Sequence, residues 1–257
     1  MMGRRAFYDR SERELESVLS TVRRHLHFLG YRQMKPALRE KGDGEGSLDL
    51  ADLKRRPTTI YLILPAMRMG TCSRWLRLFV NLTLAAMEAE QRKPRYSVLL
   101  CLDEFAVLGP MKTIEDAAGQ IAGLGCKLWP ILQDLGQLKA LYKDRWETFM
   151  GNAGVMQFFG NSDMTTLEWI SKRLGTTTVV NPGKSEVAYD AKVQTGASGT
   201  SWSQSTQEWM TPEELSRFFG RDDPLLRQLI IRPTFPPMVL QRAYYDQHEL
   251  FAGKFDD

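Results

Sequence analysis

Cysteine and histidine are scarce in this chain, three of each in 257 residues, and their positions exclude a zinc-type protein. Cys72, Cys101 and Cys126 show no C-x-x-C spacing, and His25, His27 and His248 do not complete a ligand set with them. Cys101 lies inside the most apolar run of the chain, which suits a reduced cytosolic setting and not a disulfide scaffold. Long apolar runs are absent too: none approaches the ~20 residues of a membrane span. The beginning, with Arg4 and Arg5, lacks the apolar centre of a signal peptide, so a soluble chain is expected. No internal repeat is visible. With 43% hydrophobic and 25% charged residues, the composition is that of a globular protein and excludes general disorder. The length allows one large or two small domains, and we expect one main domain.

Charge of one sign is not in excess, at +3 overall, but it is unevenly spread. Residues 1–60 hold 13 Lys or Arg against 9 Asp or Glu, and the remainder 21 against 22. Ser11-Glu12-Arg13-Glu14 is a capping box, and Leu15, Val18, Leu19, Val22, Leu26 and Leu29 follow at helical spacing up to Gly30, which predicts an amphipathic helix. Its flank, from Arg23, Arg24, His25 and His27 through Tyr31 and Arg32 to Lys41, is basic with some aromatic character. Such a flank suits a surface that tracks a nucleic-acid strand, and it suits a merely solvated helix face as well. Residues 41–47, K-G-D-G-E-G-S, are glycine-rich, but Asp43 and Glu45 would repel phosphate, so this stretch reads as a loop and a boundary.

Beyond it, strands and helices alternate. The spacing predicts strands over 58–64, 98–102, 126–132, 155–159, 229–232 and 238–241. Helices are predicted over 73–89, with Trp75, Leu76, Phe79, Leu82 and Ala86 as the buried stripe, and over 114–121, 135–142 and 165–174. The helix at 165 has a candidate Thr165-x-x-Glu168 box, and another starts at Thr211-Pro212. Pro130 inside a strand demands a local break or bulge. The Ser/Thr/Gly-rich residues 194–207 read as a mobile loop. This order implies an α/β class with a largely parallel sheet covered by helices on both faces.

Within that order, S-V-L-L-C-L-D-E (97–104) carries the chemistry. The apolar run 98–102 suits a strand buried on both faces, and parallel sheets bind ligands at the carboxyl ends of their strands. Asp103 and Glu104 would project there, as in a Walker-B strand, where one carboxylate holds Mg²⁺ and its neighbour orients the attacking water. The same acids could solvate a loop or cap the next helix. Phosphoryl chemistry also needs a glycine loop and a lysine on the phosphates. The one near match to G-x-x-x-x-G-K-[ST], at Gly183-Lys184-Ser185, has Thr178 where the first glycine belongs and follows an Asn181-Pro182 turn, so it reads as a chance match. Phe105, Trp129 and Trp169 read as core aromatics or as stacking platforms for single-stranded DNA, with core preferred.

The stretches V-L-L-C-L-D-E-F-A-V-L-G (98–109), G-C-K-L-W-P-I-L-Q-D-L-G-Q-L-K-A-L-Y (125–142) and G-N-A-G-V-M-Q-F-F-G-N (151–161) resemble the coupling proteins of type IV secretion and conjugation, the TraG-type DNA-transfer ATPases. Segments 57–65, 166–175, 210–215 and 242–246 agree with it. The resemblance implies a RecA-like P-loop NTPase sheet, incomplete because the Walker-A unit is missing. Residues 1–47 are similar to the end of the family's all-α insert, and 48–257 to the C-terminal part of the motor domain. It implies ATP and Mg²⁺ as cofactors, with Asp103 on Mg²⁺ through water, Glu104 activating water, and Gln133 sensing the terminal phosphate. Gln133 also reads as a loop amide capping the 135–142 helix. The family's arginine finger falls on Ala122, and Lys127, Lys139 or Arg145 are substitutes that spacing does not choose among.

The partners implied are single-stranded DNA, the relaxase and relaxosome, inner-membrane components of the secretion system, and other copies in a ring, a hexamer. The intact protein would sit at the cytoplasmic face of the bacterial inner membrane. The competing expectation is a truncated, non-catalytic module that binds relaxosome proteins, DNA or intact rings; a third is a soluble helicase of related fold.

Overall fold

A computed structural model describes residues 11–32, 34, 48–184 and 200–254, and divides the chain into two compact units, Met1–Leu132 and Gln133–Asp257. The glycine-rich residues 41–47 and the first part of the 194–207 stretch lie outside the described residues.

The first unit opens with helix α1, Glu12–Leu26, and its capping box forms as expected: the Ser11 amide donates to the Glu14 carboxylate at 3.3 Å. Its apolar stripe, however, meets no cover among the described residues. No residue of α1 is buried, and Leu19, Val22 and Leu26 are each more than a third exposed. The chain is anchored one turn later, where Phe28 packs with Met34 and Cys72, supported by Tyr31, Leu64 and Trp75.

A short helix α2, Asp52–Arg55, then carries the most consequential buried charge of this unit. Lys54 is 7% exposed, and its ammonium donates to the carbonyls of Met87 and Glu90, the latter at 2.6 Å. These carbonyls close helix α3, Met69–Ala89, so a buried cation satisfies acceptors that a helix end leaves unpaired, where the helix dipole favours positive charge. Arg55 adds a bond to the Glu90 carboxylate at 2.6 Å.

Residues 58–64, between α2 and α3, form no strand among the described residues, contrary to expectation. Their exposure alternates as in a strand, with Tyr61 at 81% and Ile63 at 86%, yet a strand exists only when a neighbour pairs its backbone, and none does among the described residues. The buried face of α3 is also not the predicted one. Cys72, Val80, Thr83, Leu84 and Met87 go inside, while Leu82 stays half exposed, because this helix is apolar almost all round and its sequence alone does not choose a face.

Strand β1, Val98–Leu102, helix α4, Lys112–Gln120, and strand β2, Cys126–Pro130, complete the unit. β1 and β2 pair in parallel, Val98 opposite Cys126 and Leu102 opposite Pro130. Gly125 begins β2 at φ +72°, and a Cβ there would come within 2.9 Å of Pro94, so only glycine fits. Pro130 needs no bulge. The Ile131 amide donates to the Leu102 carbonyl at 3.0 Å, so by the two-residue alternation the Pro130 nitrogen faces away from β1. The expectation of burial on both faces fails: Leu100 is buried, but Leu99 is 54% and Trp129 48% exposed, and no described residue layers that face.

The second unit packs helices α5, Leu135–Tyr142, α6, Trp146–Asn152, and α7, Met164–Leu174, with strand β3, Met156–Phe158. A hairpin ribbon of β4, Thr176–Lys184, and β5, Thr200–Glu208, follows, then helix α8, Pro212–Phe218, and strands β6, Arg227–Ile231, and β7, Met238–Gln241. β3, β6 and β7 form an antiparallel sheet in that order. The expectation of a largely parallel sheet therefore holds only for β1 and β2.

The core of this unit joins Met156 and Phe158 of β3, Leu167 and Ile170 of α7, Leu215 of α8 with Phe219 just after it, and Leu229 and Ile231 of β6. Each such burial stabilises by roughly 1.5–3 kcal/mol. Residues 200–207, expected in a mobile loop, pair over their length with the Thr/Val-rich β4; alternation of Thr and Ser with a β-forming partner outweighs the loop-like composition. Gly183 and Lys184 lie within β4, not in a loop leading to a helix, so the chance match to a phosphate loop stays a chance match.

Near α8, the Asp223 carboxylate, 1% exposed, accepts from the Arg227 backbone amide at 2.7 Å and from its guanidinium at 2.8 and 3.0 Å. These bonds to Arg227 hold the carboxyl far below the usual range. Because the folded value lies below the unfolded one, of about 3.9, the stabilisation is complete above that value and is lost as pH falls toward the folded one. Asp223→Asn is expected to flatten the fall in stability below about pH 4, measured by urea midpoints across pH. In the first unit, Lys54→Met leaves two helix-end carbonyls without their donor and is expected to cost about 1–3 kcal/mol. A lower denaturant midpoint by circular dichroism checks it; an unchanged midpoint would show that water replaces the ammonium without loss.

Candidate functional site

The parallel pairing of β1 and β2 brings both strands to an end at one edge, and the ladder continues past them. After Ile131 donates to Leu102, the Phe105 amide donates back to the Ile131 carbonyl at 3.0 Å. Between these two bonds stand Asp103 and Glu104, both exposed. Phe105 is fully buried and anchors a 3₁₀ turn, Phe105–Leu108, whose last carbonyl accepts from Arg77 of α3 at 2.8 Å. The core reading of Phe105 is thus correct.

Glu104 bridges an ending strand to a turn whose first side chain must enter the core, and its backbone takes up the mismatch. It adopts φ 52° and ψ 46°, left-handed for a residue with a Cβ, a cost of about 1–2 kcal/mol. Its amide donates to the Asp103 carboxylate at 3.1 Å, which orients the first acid against the backbone of the second. Cys101, on the same strand, has its thiol pushed up by partial burial and, second, by the charge of Asp103.

Gln133 opens the second unit. Its backbone is held on both sides: the amide donates to the Gln137 side chain at 3.2 Å and the carbonyl accepts from the Asn161 amide nitrogen at 3.2 Å. The helix-capping reading of Gln133 fails, because Asp134 is the cap of α5 and accepts from the Gln137 amide at 2.8 Å. The buried Thr166 hydroxyl accepts from the Leu135 amide at 2.9 Å and fixes the same helix start. At α7, likewise, Asp163 and not Thr165 is the cap, accepting from Thr166 at 2.7 Å. Sequence reading missed Asp134, Asn161 and Thr166 as the residues around Gln133. The Gln-Asp pair just ahead of the 135–142 pattern was the visible signal, since Asp is a strong N-cap.

Other sequence candidates scatter. Trp169 is half-buried against the second core, 5.8 Å from Phe158 ring to ring, whereas Trp129 stands exposed, against the core expectation. Lys139 lies over the Trp146 ring at 4.6 Å, and Ala122 is exposed in a 3₁₀ turn, Ile121–Leu124. No helix among the described residues is long and apolar enough to cross a membrane, and none of them form a cluster of three or more His, Cys, Asp or Glu suited to a metal.

The chain is a mixed α/β protein with adjacent acids at the end of a parallel strand pair, and solved coupling proteins share its fold. The plasmid coupling protein TrwB in complex with a non-hydrolysable ATP analogue is similar with a TM-score of 0.62 at 16% identity, covering 90% of this chain and 50% of that one. TrwB with ADP and Mg²⁺ is similar with a TM-score of 0.57, also at 16% identity, covering 76% and 43%. The family model for type IV secretory system conjugative DNA transfer matches residues 2–254, and the chain belongs to that family. Among relatives, VirD4 of Agrobacterium fabrum is 32% identical over 211 residues, 80% of this chain and 30% of that protein. TraG of Escherichia coli is 25% identical over 228 residues, 84% of this chain and 35% of that protein. The chain thus spans about a third of the length of the curated relatives it matches.

Glycine at position 104 would relieve the left-handed strain. Glu104→Gly is expected to be more stable than Glu104→Ala by about 1 kcal/mol, read from denaturant midpoints. Equal midpoints would show that the turn re-forms with a different backbone.

Proposed function

We propose that the chain is the C-terminal motor portion of a coupling ATPase that moves single-stranded DNA, with its relaxase, to a type IV secretion channel. The observation that carries this reading is the pair Asp103 and Glu104, exposed at the carboxyl edge of β1–β2 on a strained, fixed backbone, in a chain of this family. Residues 1–47 then belong with the helical insert and 48–257 with the motor domain. The intact protein would act as a hexameric ring at the cytoplasmic face of the inner membrane, alongside the secretion components there.

In this reading Asp103 holds Mg²⁺ through water. The donor set fits: magnesium takes oxygen ligands and keeps several waters, so one carboxylate and phosphate oxygens suffice. Bound there, the ion supplies charge neutralisation for phosphoryl transfer. Glu104 accepts the proton of the attacking water, and its restricted backbone limits where that carboxylate can go. Gln133 senses the terminal phosphate, with Asn161 as a positioning residue that acts through the Gln133 carbonyl. The phosphate-cradling loop comes from a segment outside these 257 residues.

The isolated chain is expected to hydrolyse ATP only at background. Joined to a family segment that carries G-x-x-x-x-G-K-[ST], it is expected to turn over, and Glu104→Gln then lowers turnover by about 10²–10⁴-fold with nucleotide still bound. Turnover that survives Glu104→Gln would overturn the role assigned to Glu104, and no turnover by the joined parent chain would favour a non-catalytic module. Robust turnover by the isolated chain would overturn the need for the missing loop.

A further inference from the structure

The basic flank of α1 has no part in the carboxylate site, and in the fold it becomes one wall of a cleft. Arg23, Arg24, His25 and His27 from the end of α1 and the turn after it face Gly70, Thr71, Ser73 and Arg74 of α3 across a space of about 500 Å³, with the buried Phe28 also lining it. Arg74 comes from 50 residues further along the chain and is fixed by donating to the Arg24 backbone carbonyl. Five cationic or imidazole side chains therefore converge, and none of the lining residues is acidic. Among the described residues, no carboxylate pairs with Arg23, Arg24 or Arg74.

A solvated helix face would spread such charges over a convex surface. Here a second helix supplies an arginine to the same concavity, held by a backbone bond that leaves its charge unneutralised. Unpaired guanidinium groups in a concave site suit phosphate, which they bind through charge-assisted and often paired hydrogen bonds. The imidazoles add N–H donors in either protonation state, and the Thr71 hydroxyl adds another. The carboxylates that would mark a cation site are absent from the lining, and the arginines beside His25 and His27 repel a metal ion.

We infer that this cleft is a phosphate site that grips the backbone of a nucleic-acid single strand. The inference deepens the DNA-transfer reading, but it needs neither nucleotide hydrolysis nor the carboxylates. An isolated phosphate or a free nucleotide offers the same chemistry, so the test separates these sources.

The 257-residue chain is titrated into a fluorescein-labelled oligothymidine of about 20 nucleotides, longer than a typical single-strand site. Anisotropy is followed across salt concentration, with inorganic phosphate and ATP as competitors. The triple variant Arg23→Ala, His27→Ala, Arg74→Ala is expected to bind about tenfold or more weakly at low salt and to lose up to about 2 from the log–log salt slope. Arg23→Glu, which touches no recorded hydrogen bond, is expected to weaken binding with an unchanged melting curve, and Lys172→Ala with Arg173→Ala is expected to bind like the parent.

An unchanged affinity and slope in both cleft variants overturns the site. Tight binding of inorganic phosphate or ATP at the cleft, with no oligonucleotide bound, overturns the strand as its occupant. If the joined chain shows no ATP turnover while Arg23→Glu still weakens oligonucleotide binding, the motor reading falls and the cleft stands; turnover abolished by Glu104→Gln together with oligonucleotide binding unchanged by the cleft variants removes the cleft alone.

Discussion

Two backbone hydrogen bonds at the end of a two-stranded ladder, Ile131 to Leu102 and Phe105 to Ile131, constrain the site more than any side chain does. They hold the exits of β1 and β2 together after regular pairing has ended, and they deliver Phe105 into the core. The two residues between must then cross from strand to turn in a single step. Asp103 does so by taking the next amide on its carboxylate, and Glu104 by entering a region of backbone space that side chains avoid. Position and strain at the two acids thus share one cause, which fits the general clustering of strained residues at functional sites.

What supports that edge is mostly unseen in the site itself. Arg77 of α3 ties down the turn after Glu104, and α3 is closed at its far end by Lys54, whose burial is tolerable because two carbonyls receive its protons. In the second unit a similar division of labour surrounds Gln133, with Asp134, Gln137, Asn161 and Thr166 fixing the backbone.

The features legible in the sequence were those whose cause lies within a few residues. The capping box at Ser11, the helix start at Thr211-Pro212, the bounds of α5 and the strand ending in Asp103 all follow from local backbone chemistry. Features that depend on a distant partner were not legible. Residues 58–64 have a strand's pattern but no pairing neighbour among the described residues, and residues 200–207 have a loop's composition but pair with β4. Trp129 was misread because hydrophobicity says that a residue prefers cover, not that cover is present. Two caps were confused for a subtler reason: an Asp one residue after the predicted cap at α5 and two residues before it at α7 did the work. The place of Asp103 and Glu104 at the end of a strand was legible because an apolar run ending in adjacent acids is a local signal, whereas the polar residues around Gln133 come together only after folding.

The bare side of β1–β2 has a material consequence for handling the polypeptide. Backbone amides and carbonyls of Leu99 and Cys101 point away from β2, and both they and the stretch through Tyr61 and Ile63 are unpaired among the described residues. Open edges of this kind template pairing with other chains. Colloidal behaviour should therefore track protein concentration and the availability of loose extended peptide, and shielding those strips with a complementary strand should do more for shelf life than adding surface charge.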